Sequence, residues 1–260
     1  MNNFSVLFQK EWRENVRNFK IIWIPLVFIV FGIMEPVSNY YLPQILNSVG
    51  NLPEGTVFEM PTLTAEQILM STVSQYQFIG MLVVTLAFVG IISRERKNGT
   101  ATMLYVRPIS FTSYIASKLA IMALIVMGSF LLGMLASLYY VTILFGKVGG
   151  AEFLGFIGTY CMWLLFVISI VILSSSAFTS GIASMISLLF VIFGQLIDAL
   201  LGAYWTITPW KLPYYAGYIL SGSVDESTYL WTMLLTLLLS ILCLFGAVYF
   251  AKINSAKAKI

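Results

Sequence analysis

The residues best suited to chemistry in this chain lie between Ser93 and Lys118, in the polar interval between two apolar runs. Dense positive charge there alternates with apolar side chains, and the only acid is Glu95. A loop facing only water has no use for such apolar residues, whereas apolar anchors with a charged rim are typical of a protein–protein interface. We therefore predict a docking surface whose candidate residues are Glu95, Arg96, Lys97, Gly99, Thr100, Met103, Leu104, Tyr105, Arg107 and Pro108.

The local sequence predicts that this surface is a short helix between two breaks. Gly99 can end the preceding helix in the left-handed conformation, which costs glycine little. Thr100 or Thr102 can then start a short helix, and Pro108 ends it because the residue before a proline is disfavoured in the helical region. The next long helix can be capped by Ser110, Thr112 or Ser113.

Several kinds of active site are excluded by what the chain lacks. It has no histidine, so it has neither an imidazole metal ligand nor a Ser-His-Asp triad. It also lacks the GxxxxGK[ST] phosphate-binding loop and the HExxH zinc motif. Its cysteines, Cys161 and Cys243, lie inside apolar runs and are interpreted as small buried hydrophobic residues. We predict no catalytic, cofactor-binding or metal site, and hence no enzyme.

The composition is that of an integral membrane protein, since 59% of the residues are hydrophobic and 10% are charged. We predict an all-α fold with an amphipathic interface helix at residues 1–20, a transmembrane domain at 21–251 and a basic tail at 252–260. Its six predicted spans cover about 21–41, 72–92, 112–144, 153–173, 182–201 and 229–251.

The leader is predicted to be amphipathic because helical spacing separates two kinds of side chain on it. Phe4, Phe8, Trp12, Val16 and Phe19 share one face, and the opposite face carries Lys10, Arg13, Arg17 and Lys20. An aromatic face against a cationic one suits a helix lying in the headgroup layer of an anionic leaflet. Glu14, one turn after Lys10, can pair with it.

The distribution of basic residues predicts the orientation. Lys and Arg number fourteen, and twelve of them fall in the leader, in the Ser93–Lys118 interval or in the tail. By the positive-inside rule these segments face the cytoplasm, which places both termini there. We expect Glu35 and Asp198, the two acids within spans, to lie near the outer ends of their helices within reach of water. Each is interpreted first as an outer-interface charge or a helix-end polar group, and second as a candidate residue of a substrate path. Lys211 is interpreted as an interface anchor.

The chain resembles the ABC-2 family of ABC transporter permeases, and the resemblance covers nearly its whole length. It rests on the basic leader, the six spans and the segment after the second span. There the family has an E-R-x-x-G-T segment, a short helix, a proline turn and a lysine opening the third span. The matching residues here are Glu95, Arg96, Gly99, Thr100, Arg107, Pro108, Ile109, Ser110 and Lys118.

The resemblance implies the membrane-spanning subunit of an ATP-driven exporter. Its partners would be a separate ABC ATP-binding subunit, which holds the Mg-ATP, a second identical or paralogous permease, and the lipid bilayer; no nucleic acid is implied. The segment from Glu95 to Ser110 would include the coupling helix that rests on the ATPase. The small outer loops favour a small or amphiphilic substrate over a glycan.

Two other functions remain open at this point. A secondary transporter needs ionisable groups at membrane depth, and the near absence of such groups counts against it. A non-transporting membrane anchor or sensor would use the same basic segment to recruit a cytoplasmic partner.

Overall fold

The computed structural model describes residues 3–49, 63–101, 109–222 and 225–257, which form eight helices. The predicted short helix therefore falls largely outside the described residues, including its Met103, Leu104, Tyr105, Arg107 and Pro108. The helices are α1 Asn3–Arg17, α2 Lys20–Val49, α3 Ala65–Lys97, α4 Phe111–Leu144, α5 Gly150–Ala177, α6 Ser180–Leu201, α7 Leu212–Ser221 and α8 Glu226–Lys257.

Six of these helices, α2, α3, α4, α5, α6 and α8, are long and apolar enough to cross a bilayer. This agrees with the predicted all-helical fold with six spans. Several helices extend beyond the predicted spans, because a helix continues into polar sequence wherever caps and neighbours support it. α8, for example, continues through the predicted basic tail as far as Lys257.

The leader ends earlier than predicted. α1 stops at Arg17, and Phe19 takes a left-handed conformation with φ of 55° before α2 starts at Lys20. A left-handed residue cannot continue a right-handed helix, so the chain turns here between α1 and the first span.

The polar stretch predicted between the first two spans is partly helical. α2 passes through three prolines to Val49, because each proline removes only one helical donor where neighbouring helices support the rest. α3 begins at Ala65, ahead of its apolar run, because Thr64 and Gln67 form a capping box. Hydropathy therefore did not predict these two helix boundaries, which depend on a cap for α3 and on neighbouring helices for α2.

The core is built around α5, the most buried of the six spans. Its Tyr160 stacks on Phe130 of α4 with ring centroids 4.5 Å apart. α2 and α4 approach each other backbone to backbone at Gly32 and Gly133, where a Cβ on Gly32 would lie 2.3 Å from the Gly133 carbonyl oxygen. Such close packing of small residues is a common way to hold membrane helices together.

α3 is interrupted by a π-helical turn at Tyr76–Gly80. The hydroxyl of Tyr76 donates a 2.7 Å hydrogen bond to the carbonyl of Phe28 on α2. A π turn adds a residue to the helix and rotates the side chains that follow it, and such turns are frequent at functional sites. Hydropathy does not reveal it, and the sequence analysis did not predict it.

A short helix between the last two spans was also not predicted. The sequence indicated only an aromatic interface segment there. In the structure Pro209–Lys211 forms a 3₁₀ turn, and α7 follows and packs on α5. Pro213 at the start of α7 and the left-handed Gly222 after it mark the helix ends.

Candidate functional site

The most concentrated polar structure in the described residues is a buried ion network joining α1, α3 and α4. Lys118 of α4 is fully buried, and its Nζ lies 2.7 Å from Oε1 of Glu11 and 2.9 Å from Oε2 of Glu95. The hydroxyl of Tyr114 donates a 2.5 Å hydrogen bond to the same Glu95 oxygen. We call Lys10, Glu11, Glu95, Tyr114 and Lys118 the ion network.

Lys10 closes the network from the side of α1. Its ammonium contacts Glu95 and lies 3.0 Å from Glu11 and 3.5 Å from Glu14, the partner predicted for it. Burial alone would lower the pKa of Lys10, but the carboxylates of Glu11 and Glu95 outweigh burial and raise that pKa. Lys10 therefore remains an ammonium throughout the neutral range.

The ion network is not arranged as a metal site, although carboxylate oxygens of Glu11, Glu14 and Glu95 come within 4.8 Å of one another. The ammonium groups of Lys10 and Lys118 already lie between these carboxylates. Two ammonium groups are therefore in the position that a metal ion would take, and they neutralise most of the negative charge of the three carboxylates.

α1 contributes to the network through a face that the sequence analysis missed. Leu7, Glu11 and Asn15 are spaced four residues apart and are buried against the bundle. Glu11 and Asn15 are polar, so their face does not look like a buried face in the sequence. The helical pattern of α1 therefore showed only the aromatic and the cationic stripe. The spacing of Glu11 after Leu7 was the available signal.

The predicted aromatic stripe of α1 lies largely on the surface. Phe4, Trp12, Val16 and Phe19 are exposed, whereas Phe8 packs partly against the core. The cationic residues Arg13 and Arg17 are exposed as well, but Lys20 is not on that free face. Its ammonium donates to the Ala87 carbonyl at 2.7 Å and lies over the Phe88 ring.

The predicted docking residues separate into three groups. Glu95, expected among the rim charges, is 8% exposed and belongs to the ion network, because its charge is satisfied inside the chain. Lys97 and Thr100 are exposed. Arg96 is half-buried, and its guanidinium donates to the carbonyls of Ser176, at 2.6 Å, and Phe178.

Arg96 therefore binds the carboxyl end of α5 and the turn before α6. A helix ends with unpaired carbonyls and partial negative charge, so a guanidinium there satisfies both. Ser175 strengthens the same junction, since its hydroxyl accepts from the backbone amides of Ile92, at 3.1 Å, and Ser93, at 3.2 Å. The end of α3 is thus attached to the α5–α6 turn.

The predicted break at Gly99 is present. Gly99 has φ of 73° and its amide donates to the Arg96 carbonyl at 3.3 Å, so the helix ends in the left-handed conformation. Thr100 and Ala101 start a new helical segment. On the far side of residues 102–108, Ser110 caps α4, and its hydroxyl accepts from the Ser113 amide at 3.2 Å.

A second polar region lies at the other end of the bundle, around the two acids expected to line a path. Glu35 is half-buried and accepts hydrogen bonds from Gln75 and from Asn39, the latter at 3.1 Å. Asp198 is 3% exposed. The sequence predicted a position within reach of water, whereas the structure buries most of this side chain beside Thr208 and Lys211.

Lys211 was interpreted as an interface anchor, but it faces Asp198. Its Nζ lies 3.5 Å from Oδ2 of that residue and over the ring of Tyr214. Within the described part of the chain, one cluster of charged residues therefore lies at each end of the bundle, with a largely apolar core between them.

The comparisons with known proteins agree with this architecture. The family model described as ABC-2 family transporter protein matches residues 5–251. The chain is also similar to the uncharacterized transmembrane protein YxlG of Bacillus subtilis (strain 168), with 32% identity over 180 residues that cover 69% of this chain and 70% of that protein. The chain therefore belongs to the ABC-2 family of transporter proteins, whose membrane components carry no catalytic activity of their own.

Proposed function

We propose that this chain is the permease subunit of an ATP-driven exporter. Two such chains, identical or paralogous, pair with two ABC ATP-binding subunits, which bind and hydrolyse Mg-ATP. The chain lies in the cell membrane with both termini in the cytoplasm. The observation that carries the proposal is the ion network. It joins α1, α3 and α4, and its Glu95 lies about one helical turn before the Gly99 break.

The mechanism follows from what is attached to that break. We call residues 100–105 the docking segment. It contacts the ATPase and follows α3 in the sequence, immediately after the Gly99 break. Glu95 connects this end to Lys118 of α4 and to α1, while Arg96 connects it to the α5–α6 turn. A displacement of the docking segment is therefore transmitted to several spans at once.

Buried charges make the connection stiff. Separating Glu95 from Lys118 leaves each of these charges with one partner fewer in an environment that solvates charge poorly, at a cost of about 3 kcal/mol. Motion that preserves the network is favoured over motion that breaks it. The ends of α1, α3 and α4 therefore move together, and the spans tilt instead of sliding past one another.

α1 gives this unit a support at the membrane surface. Its exposed aromatic stripe enters the headgroup layer while Arg13 and Arg17 contact anionic lipid. The helix lies against the bilayer and is attached to the network through Lys10 and Glu11. When the ATPase displaces the docking segment, the spans therefore move relative to the membrane plane in which α1 lies.

The test is reconstitution of the chain with its ATPase in lipid nanodiscs, measuring ATPase association and hydrolysis. We expect Leu104→Asp, in the docking segment, to abolish association while Lys147→Gln, at an exposed site between α4 and α5, leaves it unchanged. Association that survives Leu104→Asp would overturn the docking assignment. Transport that persists without ATP and stops with an uncoupler would instead establish a secondary transporter, and a complex without transport would establish an anchor.

A further inference from the structure

A cleft runs along α6, from the π turn of α3 to α7, at the end of the bundle opposite the ion network. It consists of two adjoining cavities of about 240 and 320 Å³. Phe78, in the π turn of α3, lines the first, and Asp198 and Tyr214 line both. We call this the α3–α6 cleft.

Polar atoms in the cleft lack the partners that buried groups normally have. Oδ1 of Asp198 accepts a long hydrogen bond from Thr208, at 3.4 Å, but its Oδ2 accepts none. Nε2 of Gln195, which lines the same cavity as Asp198, is buried without a hydrogen-bond partner as well. Because more than nine in ten buried polar groups in proteins are satisfied, these two side chains on one cavity are candidate ligand contacts.

The cavity between α3 and α6 places aromatic rings beside the carboxylate. Phe78, Trp210 and Tyr214 all line it together with Asp198. The indole of Trp210 is fixed against α6, since a Cβ at Gly194 would lie 2.0 Å from it. A buried carboxylate beside aromatic faces is a combination that recognises an organic cation with apolar substituents.

The chain's own ammonium shows what this position accepts. Nζ of Lys211 lies 3.5 Å from Asp198 and 5.1 Å from the centroid of the Tyr214 ring. The separation from Asp198 exceeds the usual 2.7–2.9 Å of a charge-assisted hydrogen bond, so the pair is loose. Lys211 acts as a stand-in cation that a better-placed ligand cation can replace.

We propose that the α3–α6 cleft binds an amphiphilic organic cation, with Asp198 as its counter-ion, the rings of Phe78, Trp210 and Tyr214 against its apolar groups, and the Gln195 amide as an orienting donor. This assignment rests on the proposed transport function and supplies its substrate class. It also gives Lys211 a role, that of an internal competitor for Asp198.

The test is binding of tetraphenylphosphonium to the purified chain in nanodiscs by equilibrium dialysis, with empty nanodiscs subtracted. Tetraphenylborate, of the same shape and opposite charge, is the matched probe. We expect saturable binding of the cation only. Asp198→Asn should weaken that binding about tenfold, whereas Glu226→Gln, which removes an exposed acid outside the cleft, should leave it unchanged.

Lys211→Gln separates a ligand site from a structural ion pair. If Lys211 competes for Asp198, removing its charge tightens tetraphenylphosphonium binding several-fold, and the double variant with Asp198→Asn loses that gain. Misfolding cannot produce tighter binding. Equal binding of both probes, or weakening by Lys211→Gln, would overturn the assignment. The assay needs no ATPase, so its failure is distinct from a failure of the docking assignment.

Discussion

At the scale of single residues, the fully buried ammonium of Lys118 determines how the polar groups of the ion network are arranged. Its two carboxylate partners come from helices far apart in the sequence. Neither partner could be identified from spacing, since a sequence pattern reports neighbours along one helix and not contacts between helices. The resemblance identified Lys118 and Glu95 as family positions, but not that they touch.

Glu95→Gln should therefore destabilise the chain strongly. It leaves the Lys118 ammonium with one carboxylate fewer in a buried site, and we expect a loss of about 3 kcal/mol in the free energy of unfolding. Denaturant titration in mixed micelles measures this change. Tyr114→Phe is the control, because it removes only one hydrogen bond to the same carboxylate, at about 1.5 kcal/mol. Equal losses for the two variants would contradict a charge-balanced network.

Gly99 should be replaceable by asparagine but not by valine. A Cβ at this position meets no atom within 4 Å, so only its φ of 73° penalises a side chain. Valine resists this conformation at a cost of about 1–2 kcal/mol, while asparagine tolerates it. We expect Gly99→Val to uncouple ATP hydrolysis from transport and Gly99→Asn to retain coupling. If both variants behave alike, the left-handed conformation of Gly99 does not determine the direction of the docking segment.

At the scale of elements, Arg96 makes the end of α3 and the α5–α6 turn one mechanical part. A lysine keeps the charge but loses the planar fork that reaches two carbonyls. We therefore expect Arg96→Lys to lower the ratio of transport to ATP hydrolysis, with ATPase association retained. From the sequence alone a mild effect would be expected for this exchange, and an unchanged ratio would support that simpler view.

The leader illustrates what periodicity does and does not reveal. Its aromatic stripe was found from spacing, and most of that stripe is exposed in the structure. The face carrying Glu11 and Asn15 was missed, because polar residues that bury against another helix look like surface residues in a sequence. The π turn of α3 and helix α7 were missed for a related reason, since each depends on contacts with neighbouring helices.

A peptide of residues 1–20 should become helical on vesicles of anionic lipid. The apolar stripe provides burial and the basic residues provide attraction, so helicity measured by circular dichroism should fall as salt rises. A peptide with Trp12→Ser and Phe4→Ser retains the charges and serves as the control. Equal helicity of the two peptides would show that charge alone recruits the leader.

At the scale of the whole molecule, hydropathy predicted the number of spans because the bilayer demands long apolar helices. It could not predict which faces meet, since every face of such a helix is apolar. The site at the far end was predicted only as the two acids Glu35 and Asp198. The burial of Asp198 depends on a turn whose fold the sequence did not reveal.

The orientation can be tested at positions that the structure shows to be exposed. In a background lacking Cys161 and Cys243, we expect Tyr204→Cys, at a site 90% exposed between α6 and α7, to react with an impermeant thiol reagent on intact cells. Lys97→Cys should react only after permeabilisation, because the positive-inside rule places it in the cytoplasm. The reverse pattern would invert the proposed topology.

The ion network also imposes an order on biosynthesis. Glu11 is synthesised 107 residues before its partner Lys118. Until the third span is made, the carboxylate of Glu11 has no Lys118 to pair with, and α1 lacks part of its packing surface on α4. α1 therefore reaches its final position only after the third span has been made.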